Sequence, residues 1–264
     1  MILCHCNFYS KTLNNHVDVN VLIPTIPDND CFFHSLDEVY KERKIPVLYL
    51  LHGALDDYTM WLRHTNIERY AEEAGIAVVM PSGQNGFYSN AVCGLNYFDY
   101  ITEELPRFVE YTFPVSRDRE NRYIAGPSMG GYGASKCGLG RPDRYRAFGD
   151  FSGAVDPQKL EPLMVQMGFG FFRYDLIFGG SDKVTGSKDD LKVMAEKCSE
   201  YSEKPYAFVA CGKDDTNNYS MNYKLYEKLK SCGFETEFFG GNGLHDWEYW
   251  DKCVKEFIKV TKSL

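Results

Sequence analysis

The run YIAGPSMGGYGAS sets Ser128 between Gly126 and Gly130, each two positions away. A serine hydroxyl is a candidate nucleophile when the chain holds it on a sharp turn from a strand into a helix. The bare pattern is weak: with 15 serines and 23 glycines in 264 residues, chance alone supplies about 0.1 matches per chain. Its context is more specific. The β-prone RYIA precedes the serine, and Gly130, Gly133, Ala134 and Cys137 follow at i, i+3, i+4 and i+7. Such a stripe of small residues lets a helix lie close against a sheet, and glycines flanking a strained serine avoid a clash. A structural serine in a glycine-rich loop explains neither the preceding strand nor the stripe.

A serine needs a base to take its proton, and the base needs an acid to orient it. In α/β-hydrolases these groups follow in the order Ser, Asp or Glu, His. His5, His16, His34, His52 and His64 all precede Ser128, which leaves His245 in GGNGLHDWEYW. That glycine-rich loop joins a β-prone run to the last helical pattern, so a base there would hang over the edge of a sheet. The alternative is a surface histidine followed by a helix-capping Asp246. For the acid, AFVACGKDDT supplies Asp214 and Asp215, with Asp156 after FSGAV as the main rival. Spacing does not separate Asp214 from Asp215, and both are also plausible caps. The oxyanion requires N–H donors, expected from Met129 after the serine and from Ala54 in LYLLHGALDDYTMW. His52 lies on the wrong side of Ser128 in chain order and is expected to brace that loop.

These groups need a scaffold. Short β-prone runs stand at 16–24, 45–53, 76–83, 122–128, 146–153, 206–212 and 236–241, with helical patterns at 61–74, 96–113, 218–233 and 246–260. Pro106 predicts a kink in the second of these. Alternating strands and helices imply a mostly parallel sheet covered on both faces. The run HVDVNVLIP alternates apolar and polar residues and suits an early antiparallel strand. Residues 156–200 exceed what a crossover needs, and their aromatic, glycine-rich centre predicts a cap-like insertion over the sheet, or else a helix with an irregular loop. No repeats or linkers interrupt the chain, so 1–264 is expected to be one domain.

Composition narrows the function further. A net charge of −8 argues against nucleic acid and anionic membrane as partners, since both call for clustered Lys and Arg. The nine cysteines form no framework and are read as free thiols of a reducing compartment. In LCHC a strand would point Cys4 and Cys6 to one face and His5 to the other, and no second pair completes a zinc site. No signal-peptide pattern is visible at the start and no apolar run approaches ~18 residues, so a cytoplasmic protein is expected.

Taken together, LLHGALDDYTMWLRHTNIERYAEEAGIAVVMPS, YFDYITEELPRF, IAGPSMGGYGASKCGL, FSGA, ACGKDD and LHDWEYWD resemble the esterase D/tributyrin esterase family. This branch of the α/β-hydrolases also holds feruloyl and acetyl xylan esterases, S-formylglutathione hydrolase and mycolyltransferases. The resemblance runs over nearly the whole chain, from about residue 1 to 262. It implies an α/β-hydrolase fold with Ser128 as nucleophile, His245 as base and, as the last residue of a C-G-x-x-D run, Asp215 as acid. It puts the oxyanion donors on Ala54 and Met129. The sequence departs from the family pattern at Pro127, whose missing N–H is not an oxyanion donor.

The expected activity is hydrolysis of short-chain acyl, acetyl or feruloyl esters, including those of carbohydrates, with no cofactor or metal. The expected partner is a small ester such as an acylated oligosaccharide. A thioester hydrolase of the S-formylglutathione type is the alternative, and a non-catalytic binding protein on the same fold comes third. Phe87, Tyr88, Tyr97, Phe171, Phe172 and Trp247 lie on segments that would line the mouth, where rings would stack on a sugar or phenolic acyl group. Core packing is the commoner role for such rings.

Overall fold

The β-prone runs pair side by side into one eight-stranded sheet in the computed structural model, which describes residues 1–26, 28–170 and 172–264 without the side chains of Asp28 and Asn29. The strands are β1 (Ile2–Ser10), β2 (Asn15–Ile23), β3 (Val47–Leu50), β4 (Ala77–Pro81), β5 (Arg122–Pro127), β6 (Ala147–Phe151), β7 (Tyr206–Ala210) and β8 (Thr236–Phe239), in the order β1-β2-β4-β3-β5-β6-β7-β8. β2 runs antiparallel to both β1 and β4, and all other neighbours are parallel. β1 is absent from the runs read as strands. It is an edge strand paired only with β2, so polar His5 and Asn7 interrupt its apolar pattern without cost.

Period-two alternation sorts the strand side chains between two cores. Val47, Tyr49 and Leu51 point to one face of the sheet, and Leu48 and Leu50 to the other. Among the described residues seven helices of at least eight residues flank the sheet: α1 (Ile67–Ala74), α2 (Leu105–Thr112), α3 (Met129–Gly140), α4 (Pro157–Gln166), α5 (Leu191–Cys198), α6 (Tyr219–Ser231) and α7 (Trp247–Thr261). Residues of α2 to α6 pack in the first core, and those of α1 and α7 in the second.

Two helical patterns break differently from expectation. The 61–74 stretch splits into Met60–His64 and α1, because the Thr65 hydroxyl bonds back to the Trp61 carbonyl at 2.5 Å and its oxygen accepts the Ile67 N–H at 3.2 Å. In the 96–113 stretch the irregularity precedes Pro106. A π-helical turn spans Tyr100–Glu104, the Leu105 N–H reaches the Tyr100 carbonyl, and Pro106 then sits in the first turn of α2, where its missing donor is tolerated.

Within 156–200 the chain forms α4, a short helix at Tyr174–Phe178, a 3₁₀ turn at Ser181–Lys183 and α5. α5 packs on α3 and α6 as an ordinary layer helix. Asp189 fastens this stretch to α3. Its carbonyl accepts the Tyr132 hydroxyl at 2.8 Å, and its carboxylate pairs with the buried Lys136 ammonium at 2.5 Å.

Candidate active site

Parallel strands end in register. Pro127 of β5 pairs with Phe151 of β6, and Phe151 with Ala210 of β7, so the loops that follow gather at one edge of the sheet. Ser128 is the first residue beyond β5 and holds φ 53° and ψ −117°, a left-handed conformation costly for a residue with a side chain. Backbone bonds over-determine it. Its N–H donates to the Phe151 carbonyl at 2.9 Å, and its own carbonyl accepts the N–H groups of Gly131, Tyr132 and Ala154. The turn is tight enough that a Cβ at Gly126 would stand 2.7 Å from the Gly130 carbonyl carbon, and one at Gly130 would stand 2.7 Å from the His52 oxygen. Glycine at both positions is therefore a packing requirement.

His245 hangs from the loop between β8 and α7, with its Nε2 3.0 Å from Ser128 Oγ and its Nδ1 2.7 Å from Asp215 Oδ2. The Trp250 ring stands nearly perpendicular to the imidazole, at 5.0 Å between centroids. Asp215 follows β7 and is only 5% exposed. Burial is the largest influence on its carboxyl and pushes the pKa up. Hydrogen bonding and charge from His245, together with bonds from Asn218, outweigh burial and hold the pKa below the usual carboxylate value.

The other two acids have different partners. Asp214 accepts the Gly243 N–H at 2.9 Å and so pins the histidine loop. Asp156 caps α4 and pairs with Lys159. Geometry thus brings together Ser128, His245 and Asp215, and leaves Asp214 and Asp156 aside.

Ala54 and Met129 carry the two amides expected to hold the oxyanion. Met129 opens α3, where the first N–H groups have no intrahelical acceptor, and among the described residues neither its amide nor that of Ala54 donates to a protein acceptor. His52 does brace the Ala54 loop. Its Nδ1–H donates to the Gly53 carbonyl at 2.6 Å and its Nε2 accepts the Gly83 N–H at 2.8 Å. Burial lowers its pKa to about 4, which keeps the ring neutral in that double role.

The aromatic residues divide. Phe87 and Tyr88 are core rings, a correction to their expected place at the mouth. Both hold left-handed backbone angles that turn them inward, and the Tyr88 hydroxyl bonds the backbone N–H and carbonyl of His52. Tyr97 and Phe172 are also largely buried but line one wall of a cavity of about 500 Å³, with Gln84, Asn85 and Arg173. Asn85 accepts the Leu55 N–H at 2.8 Å, which sets this cavity beside the Ala54 loop. Trp247 is half-buried, stacked on His64 and edge-on to Trp61. Phe171 lies outside the described residues.

Sequence reasoning missed Asn218. Its Nδ2 donates to Asp215 Oδ1 at 2.9 Å and stands 3.2 Å from His245 Nδ1, while Asn222 holds its carbonyl. Only its place three residues after Asp215, at the start of α6, hinted at this, and that place reads equally well as a helix cap.

The fold and site define an α/β-hydrolase. The Esterase family model, described as "Putative esterase", matches residues 10–257, and the chain belongs to that family; it is a carboxylic ester hydrolase. It is 29% identical over 259 residues to an acetyl esterase of Caldicellulosiruptor saccharolyticus, with 96% of each chain covered. Among solved structures it resembles FphF, a fluorophosphonate-binding serine hydrolase of Staphylococcus aureus, at 32% identity and TM-score 0.87, with 98% of both chains covered. It also resembles the S-formylglutathione hydrolase FrmB of the same organism, at 31% identity and TM-score 0.84 over 98% of both chains.

Proposed function

We propose that the protein hydrolyses acetyl and other short-chain acyl esters of small alcohols, carbohydrates included, through an acyl-enzyme on Ser128. The observation that carries this reading is the continuous hydrogen-bonded chain Ser128 Oγ–His245–Asp215 at 3.0 and 2.7 Å. His245 takes the hydroxyl proton as Ser128 attacks the ester carbonyl, and Asp215 fixes the imidazole and stabilises its charged form. The amides of Ala54 and Met129 receive the oxyanion. His245 then protonates the departing alcohol and activates the water that releases the acid. In the same reading the chain is one catalytic domain, and the insertion at about 156–200 supplies part of the cleft wall. The relative that is an acetyl esterase supports the acyl preference.

Thioester hydrolysis is the second reading, favoured by the relative described as an S-formylglutathione hydrolase, since the same machinery would attack a thioester. Hydrolysis of p-nitrophenyl acetate, p-nitrophenyl butyrate, methyl ferulate and a formyl thioester by wild type and Ser128→Ala tests both. The acetate is expected to turn over fastest, with a loss of roughly 10⁴-fold or more in the variant. Faster thioester turnover would put the second reading first.

A further inference from the structure

Asp56 stands in the Ala54 loop, half-buried, and the reaction outlined above does not use it. Gly53 has no side chain, and the point its Cβ would occupy lies 3.1 Å from Asp56 Oδ2 and 3.8 Å from Ser128 Cβ. Carboxylate and serine therefore flank one small space next to the Ala54 amide. The loop fixes the carboxylate there. Leu55, at φ 68°, donates its N–H to Asn85, Asp57 accepts the N–H and hydroxyl of Thr59, and the Tyr58 carbonyl accepts from Asn20.

Among the described residues no Lys or Arg forms an ion pair with Asp56, and no side chain hydrogen-bonds to it, unlike Asp57 and Asp215 nearby. Burial pushes its carboxyl up, His64 and the Gly53 amide draw it back, and Asp57 adds to the rise. A half-buried carboxylate with no side-chain donor keeps acceptor capacity for a donor carried by the substrate.

We infer that Asp56 is a specificity-determining residue: its carboxylate receives hydroxyl groups of an uncharged, polyhydroxylated leaving alcohol and disfavours leaving groups that carry a carboxylate. The inference rests on the proposed esterase reading and names the alcohol side of its substrate. Like charges juxtaposed in a site act mainly as a bar to the wrong partner. A glutathione-like leaving group would meet that bar, whereas a sugar or glycerol would meet an acceptor.

The test compares acetyl esters of glycerol, ethanol, 3-hydroxypropanoate and choline at pH 8, read as ratios of kcat/KM for each protein. In Asp56→Asn the 3-hydroxypropanoate ester should gain about five- to twentyfold on the glycerol ester, and the choline ester should lose ground, as removal of one nearby charge predicts. In Asp56→Leu the glycerol ester should fall about tenfold against ethyl acetate through loss of the acceptor. Asp56→Glu should keep the wild-type order. Ratios that stay within twofold in Asp56→Asn and Asp56→Leu overturn the inference while leaving the esterase reading intact. Should only the choline ratio move, Asp56 would be a cation site and the polyol assignment would be wrong. A wild type that hydrolyses none of the four esters sinks both readings.

Discussion

Asp215, in the loop after β7, and Asp150, on the neighbouring β6, are buried aspartates whose carboxyls move in opposite directions. Asp215 accepts from His245 and twice from Asn218, and its pKa falls below the ordinary carboxylate value. Asp150, fully buried on β6 beneath the start of α3, has Ser135 Oγ at 3.3 Å on one oxygen and, among the described residues, no partner in hydrogen-bond geometry on the other. Burial pushes its pKa to about 7, against smaller opposing effects from Ser135 and the Gly153 amide. Burial is common to both residues, so the partners set the sign. Where the fold supplies several donors and an imidazole, an anion is kept ready; where it supplies little more than one hydroxyl and one amide, the acid holds its proton up to about pH 7.

The largest expected consequence falls on Asp215. Asp215→Asn removes the charge that orients His245 and should lower kcat by roughly 10³- to 10⁴-fold, measured on p-nitrophenyl acetate at saturation. Asp150→Asn, by contrast, should stay within about tenfold of wild type, because that carboxyl touches none of the reacting groups. Equal losses in the two variants would end the distinction between them. Asn218→Ala should cost about tenfold in kcat through a lost hydrogen bond to a charged acceptor. An Asn218→Ala enzyme as fast as wild type would show that His245 alone suffices to hold Asp215.

The smallest effect concerns stability. Between about pH 4 and pH 7 the unfolded chain has lost the Asp150 proton while the folded protein keeps it. The unfolded state then binds fewer protons, so stability falls as pH rises through that window, by a few kcal/mol at most. Asp215 works in the opposite direction: its stabilisation is present above the ordinary carboxylate pKa and disappears as pH falls through its lowered folded value. The difference in Tm between pH 5 and pH 8 should therefore shrink in Asp150→Asn. An unchanged difference would mean that Asp150 is ionised throughout.

The legible parts of the sequence were those where physics leaves few choices. Backbone crowding at Gly126 and Gly130 demands glycine, so the turn at Ser128 left its mark in residue types. Chain order left one histidine after the serine, and alternation of apolar runs marked seven of the eight strands. Side-chain direction within loops left no comparable mark. Phe87 and Tyr88 read as mouth residues, yet their backbone at φ 50° and 48° turns the Tyr88 ring against Gly133, where a Cβ would meet it at 2.3 Å. Lys136 lies between Ala134 and Cys137 of the small stripe of α3. It is buried among the rings of Phe98, Tyr132 and Phe178 and paired with Asp189, a residue from a distant loop that no local pattern announces. Asn218 was hidden in the same way, since a hydrogen bond across the site has no sequence period.

The acyl-enzyme itself offers the most direct test. Wild type and Ser128→Ala would be incubated with a fluorophosphonate ester, followed by intact mass and peptide mapping. The account predicts one adduct per chain, located on Ser128, with loss of esterase activity in step with labelling and no adduct in the variant. Esterase activity that survives full labelling, or an adduct carried by another residue, would contradict it.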